Sequence, residues 1–330
     1  MNISHTLPRR FLAKVSLESG CAPVAEPTRP VVKDFTRVPK DIAASQRINR
    51  VSMTYAQGVI YTLKRNRLAM ASLGFILLMV LVGIIGPFLL PNYQKTDLMA
   101  TLVEPSWKHI FGTDNLGRDV LTRLVRGTRV SLLIGFIAET VNLVIGAIYG
   151  GIAGYVGGKA DMIMMRIVDV IVSVPQMIIL ILLLTVLPGG VPTLIFSMCL
   201  TGWTGLARMV RGQVLSLREN EYAMAAKVLG AGQWEILRRH LLPNTIGPIL
   251  VNYTMGIPGA IGAEAYLSYI GLGISVPEAS WGNMLQAGAN QFPGSLWLFF
   301  APAAVFGLTI LAFNLFGDGL RDALDPKMRK

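Results

Sequence analysis

Long apolar runs separated by short polar ones set the pattern of this chain. A bilayer core is about 30 Å thick, so a helix crosses it with about 20 apolar residues. Six runs approach that length: Ala69 to Leu90, Ser131 to Tyr155, Ile167 to Leu187, Val191 to Ala207, Thr245 to Ile270 and Leu296 to Phe316. The second and fifth carry a carboxylate inside, Glu139 and Glu264, and the third carries Asp169 near its start. Pro188 to Gly190 predicts a tight turn between the third and fourth runs. The expectation is an all-α integral membrane protein with six transmembrane helices.

The most polar block between two of these runs is EYAMAAKVLGAGQWEILRRHLLPN, from Glu221 to Asn244. It reads as two short amphipathic helices. In the first, about Glu219 to Leu229, Tyr222, Ala225 or Ala226, and Leu229 share one face at helical spacing. Gly230 supplies a turn. In the second, about Gln233 to Leu241, Trp234, Leu237 and Leu241 share a face with Arg238 and Arg239 elsewhere, and Pro243 is expected to stop it. Neither helix is long enough to span. The spacing fits a rigid lever pushed by a partner, and equally a basic hairpin lying on anionic lipid.

Composition changes the picture in one respect: it excludes an ordinary soluble domain. Of 330 residues 52% are hydrophobic and 15% charged, and the mean hydropathy is +0.53. The net charge of +11 need not mean nucleic acid, because Lys and Arg cluster beside the apolar runs and follow the positive-inside bias. The segment 1–68 holds 12 Lys and Arg against 4 acids, the loop 208–244 is basic, and the loop 271–295 has no Lys or Arg. Six spans with both termini inside put 208–244 in the cytoplasm and 271–295 outside. The loop 91–130 should then also be outside, yet it carries Lys95, Lys108, Arg118, Arg123, Arg126 and Arg129, offset in part by Asp97, Glu104, Asp114 and Asp119.

The segment Phe11 to Cys21 has no signal-peptide h-region, since Lys14 and Glu18 break it. Residues 1–65 are expected to form a disordered cytoplasmic tail. Residues 66–130 would hold the first span and an external loop, and 131–320 a core of five spans with the cytoplasmic loop 211–244. Residues 321–330 would be a second cytoplasmic tail. Cys21 and Cys199 lie far apart in unlike surroundings, and the three histidines lack ligand spacing, so neither a disulfide nor a metal site is expected.

Three stretches resemble one family. The block at 221–244 resembles the cytoplasmic "EAA" loop of ABC importer permeases, with Ala225, Ala226, Gly230, Leu242 and Pro243 at matching spacing. Met224 and His240 depart from the general pattern. The version with Glu221, Arg239, His240 and Asn244 is similar to the peptide and nickel branch. FGTDNLGRDVLTRLVRGTRVSL (Phe111 to Leu132) and EAYLSYIGLGISVPEASWGNML (Glu264 to Leu285) resemble signatures of the C-type permease subunit of dipeptide and oligopeptide importers. The resemblance covers about residues 60 to 326. It implies the type I, MetI-like permease fold in the inner membrane of a bacterium. The implied partners are a second homologous permease, two cytoplasmic ATPases and an external substrate-binding protein. The loop with Glu221, Ala225, Ala226, Gly230, Arg239, His240, Leu242 and Pro243 would dock on one ATPase. The chain has no G-x-x-x-x-G-K-[ST] phosphate cradle, so it is read as non-catalytic, with ATP and Mg bound by the ATPases. The expected substrate is an oligopeptide or dipeptide, with nickel or another small solute as the alternative within the family. A stand-alone secondary transporter and a non-transporting membrane anchor are the rivals from other classes.

Carboxylates inside spans default to functional candidates. Glu139 and Glu264 could line the translocation pathway, or be buried and hydrogen-bonded to neighbouring helices. Arg166 and Asp169 are spaced as a helix-end ion pair. Asp114, Arg118 and Asp119, with Arg123, alternate in sign outside the membrane. They and Trp281 are candidates for contact with the binding protein, against the plainer readings of a solvated face and an interfacial aromatic anchor.

Overall fold

The computed structural model describes residues 54–324, and the regular elements among them are helical. The first, α1, Tyr55–Arg65, opens on a capping box: Thr54 accepts from the Gln57 N–H, and the Gln57 side chain accepts from the Thr54 N–H. The expectation of a disordered tail to residue 65 is therefore corrected at 55–65, where paired caps satisfy the first turn. Residues 1–53 lie outside the described residues. Asn66 leaves helical geometry, and its side chain accepts from Ala69 N to start α2, Arg67–Leu89.

After a loop with a 3-10 turn at Leu98–Ala100, α3 runs from Val120 to Val156. Its 37 residues begin well before Ser131, because Asp119 caps it by accepting from Thr122 N at 2.9 Å. At 1.5 Å per residue it is about 55 Å long, more than a bilayer core. Next come α4, Gly158–Ser173, and α5, Gln176–Val186, bent by 73° from each other. The expected single span Ile167 to Leu187 is thus broken: Pro175 has no N–H and bars Val174 from helical geometry. Helix α6, Val191–Leu217, follows the Pro188–Gly190 turn.

The polar block forms α7, Glu221–Val228, and α8, Gln233–Ile236. A π-helical turn, Leu237–Leu241, then leads without interruption into α9, Leu242–Tyr269. Pro243 therefore does not stop a helix. The widened turn, in which Leu242 N–H bonds to Leu237 O, carries the chain past it. The chain closes with α10, Trp281–Asn290, and α11, Leu296–Leu324.

Among the described residues four helices, α2, α3, α6 and α11, are long and apolar enough to cross a membrane, and α4 with α5, taken together, has the length and composition of a fifth, as a broken span or a re-entrant loop. The fifth predicted span, α9, has the length, but Asn244, Asn252, Glu264 and three prolines dilute it.

Packing follows small residues. Gly146, Gly150 and Gly154 of α3 lie against Trp203, Ala207 and Arg211 of α6, so near that a Cβ would come within 2.2–2.8 Å of their carbonyl oxygens. At the start of α3, Ile76 and Met79 of α2 join Val120 and Leu124 of α3, Ile257 and Ile261 of α9, Trp281 of α10 and Phe313 of α11. Farther along, Ile134 and Ala138 of α3 pack with Leu180 of α5 and Leu194 of α6.

Candidate functional site

At the far end of α3 the polar block is a hairpin with two unlike sides. Its underside is anchored: Ala223 and Ala226 of α7, and Ile236, Leu237 and Leu241 after it, are buried against Leu206, Val210 and Val214 of α6. Between the two arms Gly230 has φ +87°, and Ala231 N–H bonds back to Ala226 O. This is the left-handed helix end that glycine allows at no Cβ cost. The outer side is open. Val228 and Leu229 are 87% exposed and Trp234 61%, with Tyr222 and Met224 also exposed. The faces expected from spacing are thereby corrected in part. Ala226, Leu237 and Leu241 face the packing as expected, joined by Ala223 and Ile236, while Tyr222, Leu229 and Trp234 point outward. Exposed apolar side chains are thus gathered at a polar tip.

The other motif residues fall around this frame. Glu221 begins α7 and is exposed, as is Ala225, and Arg239 pairs with Glu235 at 2.5 Å on the outer side of the second arm. His240 is half-buried, and its carbonyl accepts from the Asn244 side chain at 2.6 Å. Leu242 packs into the hairpin core while Pro243 is exposed at the head of α9.

The opposite end of α3 is closed on itself. The Asp114 carboxylate accepts from Leu116 N and Arg118 N, each at 2.9 Å, and from Arg118 Nε at 2.7 Å, and lies 3.5 Å from Arg123 Nε. All three side chains are buried. Asp119 is spent on capping α3 and on His109, whose Nδ1 lies 2.8 Å away. Trp281 is wholly buried, with its Nε1–H donated to Thr128 Oγ1 and its backbone N–H to Ser131 Oγ. Asp114, Arg118 and Trp281 are therefore corrected as binding-protein contacts: their side chains are inside this chain. What sequence reasoning missed here is a clasp of Tyr93, Arg126 and Glu278. Arg126 donates to both Glu278 oxygens at 3.2 Å, Tyr93 O–H donates to Glu278 at 3.0 Å, and the guanidinium lies over the Tyr93 ring. Glu278 lies 152 positions from Arg126 and 185 from Tyr93, which left no local signal.

Of the two carboxylates, Glu264 is wholly buried and accepts from Ser131 at 2.9 Å and from Ser268 at 2.8 Å. Ser268 in turn accepts from Ile274 N. Glu264 is a junction of α3, α9 and the following loop. Glu139 is also buried, with its carboxylate seated on Gly256 of α9, and a long 3.5 Å bond from Asn142. Asn142 Oδ1, Ser197 Oγ and Thr201 Oγ1 have no protein partner. Of the two pathway candidates, Glu139 is thus the one in incompletely paired polar surroundings. The pair Arg166–Asp169 is stretched to 4.0 Å, and the closer partner of Asp169 is Arg208, at 2.7 Å.

Comparison with known proteins agrees with this arrangement. Residues 143–330 match the model of the binding-protein-dependent transport system inner membrane component family, and residues 54–105 that of the N-terminal TM domain of oligopeptide transport permease C. The chain is 47% identical to the dipeptide transport system permease protein DppC of Bacillus subtilis over 285 residues, covering 86% of this chain and 89% of that one. It is 44% identical to the oligopeptide transport system permease protein OppC of the same organism, covering 87% and 94%. A solved structure of the MetNI methionine ABC transporter in inward-facing conformations superposes with a TM-score of 0.52 at 18% identity, over 62% of this chain and 96% of that one, which establishes the MetI-like fold. The chain belongs to the family of binding-protein-dependent transport system inner membrane components.

Proposed function

We propose that this chain is the permease subunit of an ATP-driven importer that takes up dipeptides or oligopeptides delivered by an external binding protein. The observation that carries the reading is the hairpin at 221–244, anchored underneath and apolar on its open side, in a chain of this family. A rigid hairpin packed on α6 and continuous with α9 passes any push at its tip to two membrane helices. In this reading both termini and the hairpin are cytoplasmic in a bacterial inner membrane. Two ATPases bind ATP and Mg, and one of them receives the hairpin. A second, homologous permease completes the pathway, and Glu139 lines part of it. The peptide class is supported by relatives named for dipeptide and oligopeptide transport.

The test is co-purification in detergent from the native host, with the wild type beside Gly230→Pro, followed by peptide uptake in vesicles. The wild type is expected to bring down two ATPases and a second permease. The variant is expected to reach the membrane and lose the ATPases. A wild type that purifies alone and moves solute without ATP overturns the proposal.

A further inference from the structure

Helix α4 is poorly packed for a membrane helix. Of its 16 residues only Asp161 and Val168 are buried, while Met162, Ile163, Ile167 and Val170 are exposed. Both its ends are breaks: Gly157 and Gly158 have φ +67° and +59°, and the Pro175 bend of 73° follows it. A helix free at both ends and short of buried apolar area is held by its polar contacts.

Those contacts lead mostly to α6. Asp161 accepts two bonds from Arg211, Nε at 2.5 Å and Nη2 at 2.6 Å, and Asp169 accepts from Arg208 at 2.7 Å. At the corner between α3 and α4, Arg218 donates to Gly154 O at 3.2 Å and lies where a Cβ on Gly157 would be. One further bond, Tyr149 O–H to Met164 O, runs to α3. Arg208, Arg211 and Arg218 thus hold α4 and its corner; the first two lie in the last turns of α6 and Arg218 caps it, and the same end of α6 carries the hairpin on Leu206, Val210 and Val214. Arg218 is three residues from Glu221, where α7 starts.

We infer that the Asp161–Arg211 pair, with Asp169–Arg208 and the Arg218 brace, couples the hairpin to the broken span α4–α5. A bidentate carboxylate–guanidinium pair fixes orientation as well as distance. Movement of α6 with its hairpin therefore carries α4, which swings between the glycine corner and the proline bend. Asp161 and Arg211 are positioning residues: they touch no substrate and act through α4. The inference rests on the proposed function, since it needs an ATPase to move the hairpin.

The test uses the whole transporter, co-purified with its partners and reconstituted with its binding protein. It compares the wild type with Asp161→Asn, Arg208→Gln and the exchanged pair Asp161→Arg with Arg211→Asp. Peptide uptake by Asp161→Asn is expected to fall about tenfold, because the neutral amide loses the bidentate, charge-assisted hold on the part-buried Arg211. The ATPases should stay bound, and hydrolysis should continue without its stimulation by loaded binding protein. The exchanged pair should recover part of the uptake, and Arg208→Gln should show a milder form of the same uncoupling. Wild-type uptake in Asp161→Asn overturns the inference, as does parallel loss of uptake and hydrolysis. If Asp161→Asn does not reach the membrane, Arg208→Gln decides: retained stimulation overturns the inference and lost stimulation supports it. A wild type without bound ATPases overturns the proposed function instead.

Discussion

The two ends of α3 use unlike residue types for opposite purposes. At one end Asp114, Arg118, Arg123 and Trp281 are buried, paired and directed inward. At the other Tyr222, Leu229 and Trp234 are exposed, above a layer of Ala223, Ala226 and Leu237 that fixes the hairpin to α6. A motif rich in charge turned out to be the structural one, and a greasy tip the one left open. Burial separates the two cases: a paired ion inside the chain holds the chain, and an apolar side chain held out in water is stabilised only when something covers it.

This contrast predicts a ranked set of outcomes. The largest stability effect is expected for Asp114→Ala, which leaves Arg118 and Arg123 buried together without their shared carboxylate. Removal of one partner from such a cluster costs about 3–5 kcal/mol. A clear drop in the melting temperature of the detergent-purified chain would show it, and an unchanged midpoint would mean that Asp114 is not the keystone of that end. Next, Gly230→Val forces a β-branched residue into φ +87°, at a local cost of about 1–3 kcal/mol. ATPase co-purification should fall sharply while the membrane helices melt nearly as before. Loss of both together would show that the hairpin is part of the core.

Trp234→Ser sharpens the comparison because little in the isolated chain depends on this side chain. Stability should move by no more than about 0.5 kcal/mol. Binding of the ATPases should weaken by about 1–2 kcal/mol if Trp234 is a central contact, read as a shift in a titration of the reconstituted complex. Full-strength binding would place the docking contact elsewhere on the hairpin. The smallest effect is expected for Arg126→Gln, because this pair with Glu278 is partly exposed. Its loss should cost no more than about 1 kcal/mol, and a larger fall in melting temperature would reveal that the Tyr93 clasp locks the outer loops.

Much of the fold was legible in the residues. Apolar length announces a span because lipid penalises anything else, so five of the predicted runs coincide with long helices or their cores, and Gly230 announced its turn because the left-handed helix end there suits glycine. Pro175 carried a signal that a length count overrode, and it breaks the third run. The faces of the hairpin were misread in part because periodicity shows that a stripe exists without showing which side has a neighbour. Tyr222 and Trp234 satisfy an amphipathic pattern whether they point at α6 or away from it.

By itself, then, the chain of residues determined which segments are apolar enough to enter a membrane, where the polar hairpin interrupts them and which motifs it shares with its family, since all of these depend on local composition and spacing. Only the tertiary structure decided that Asp114 and Trp281 face inward, that Glu264 joins three segments and that Asp161 finds Arg211 fifty positions away. Those outcomes depend on which groups meet once the helices pack, and a buried charge can accept whatever partner that packing brings within hydrogen-bond reach.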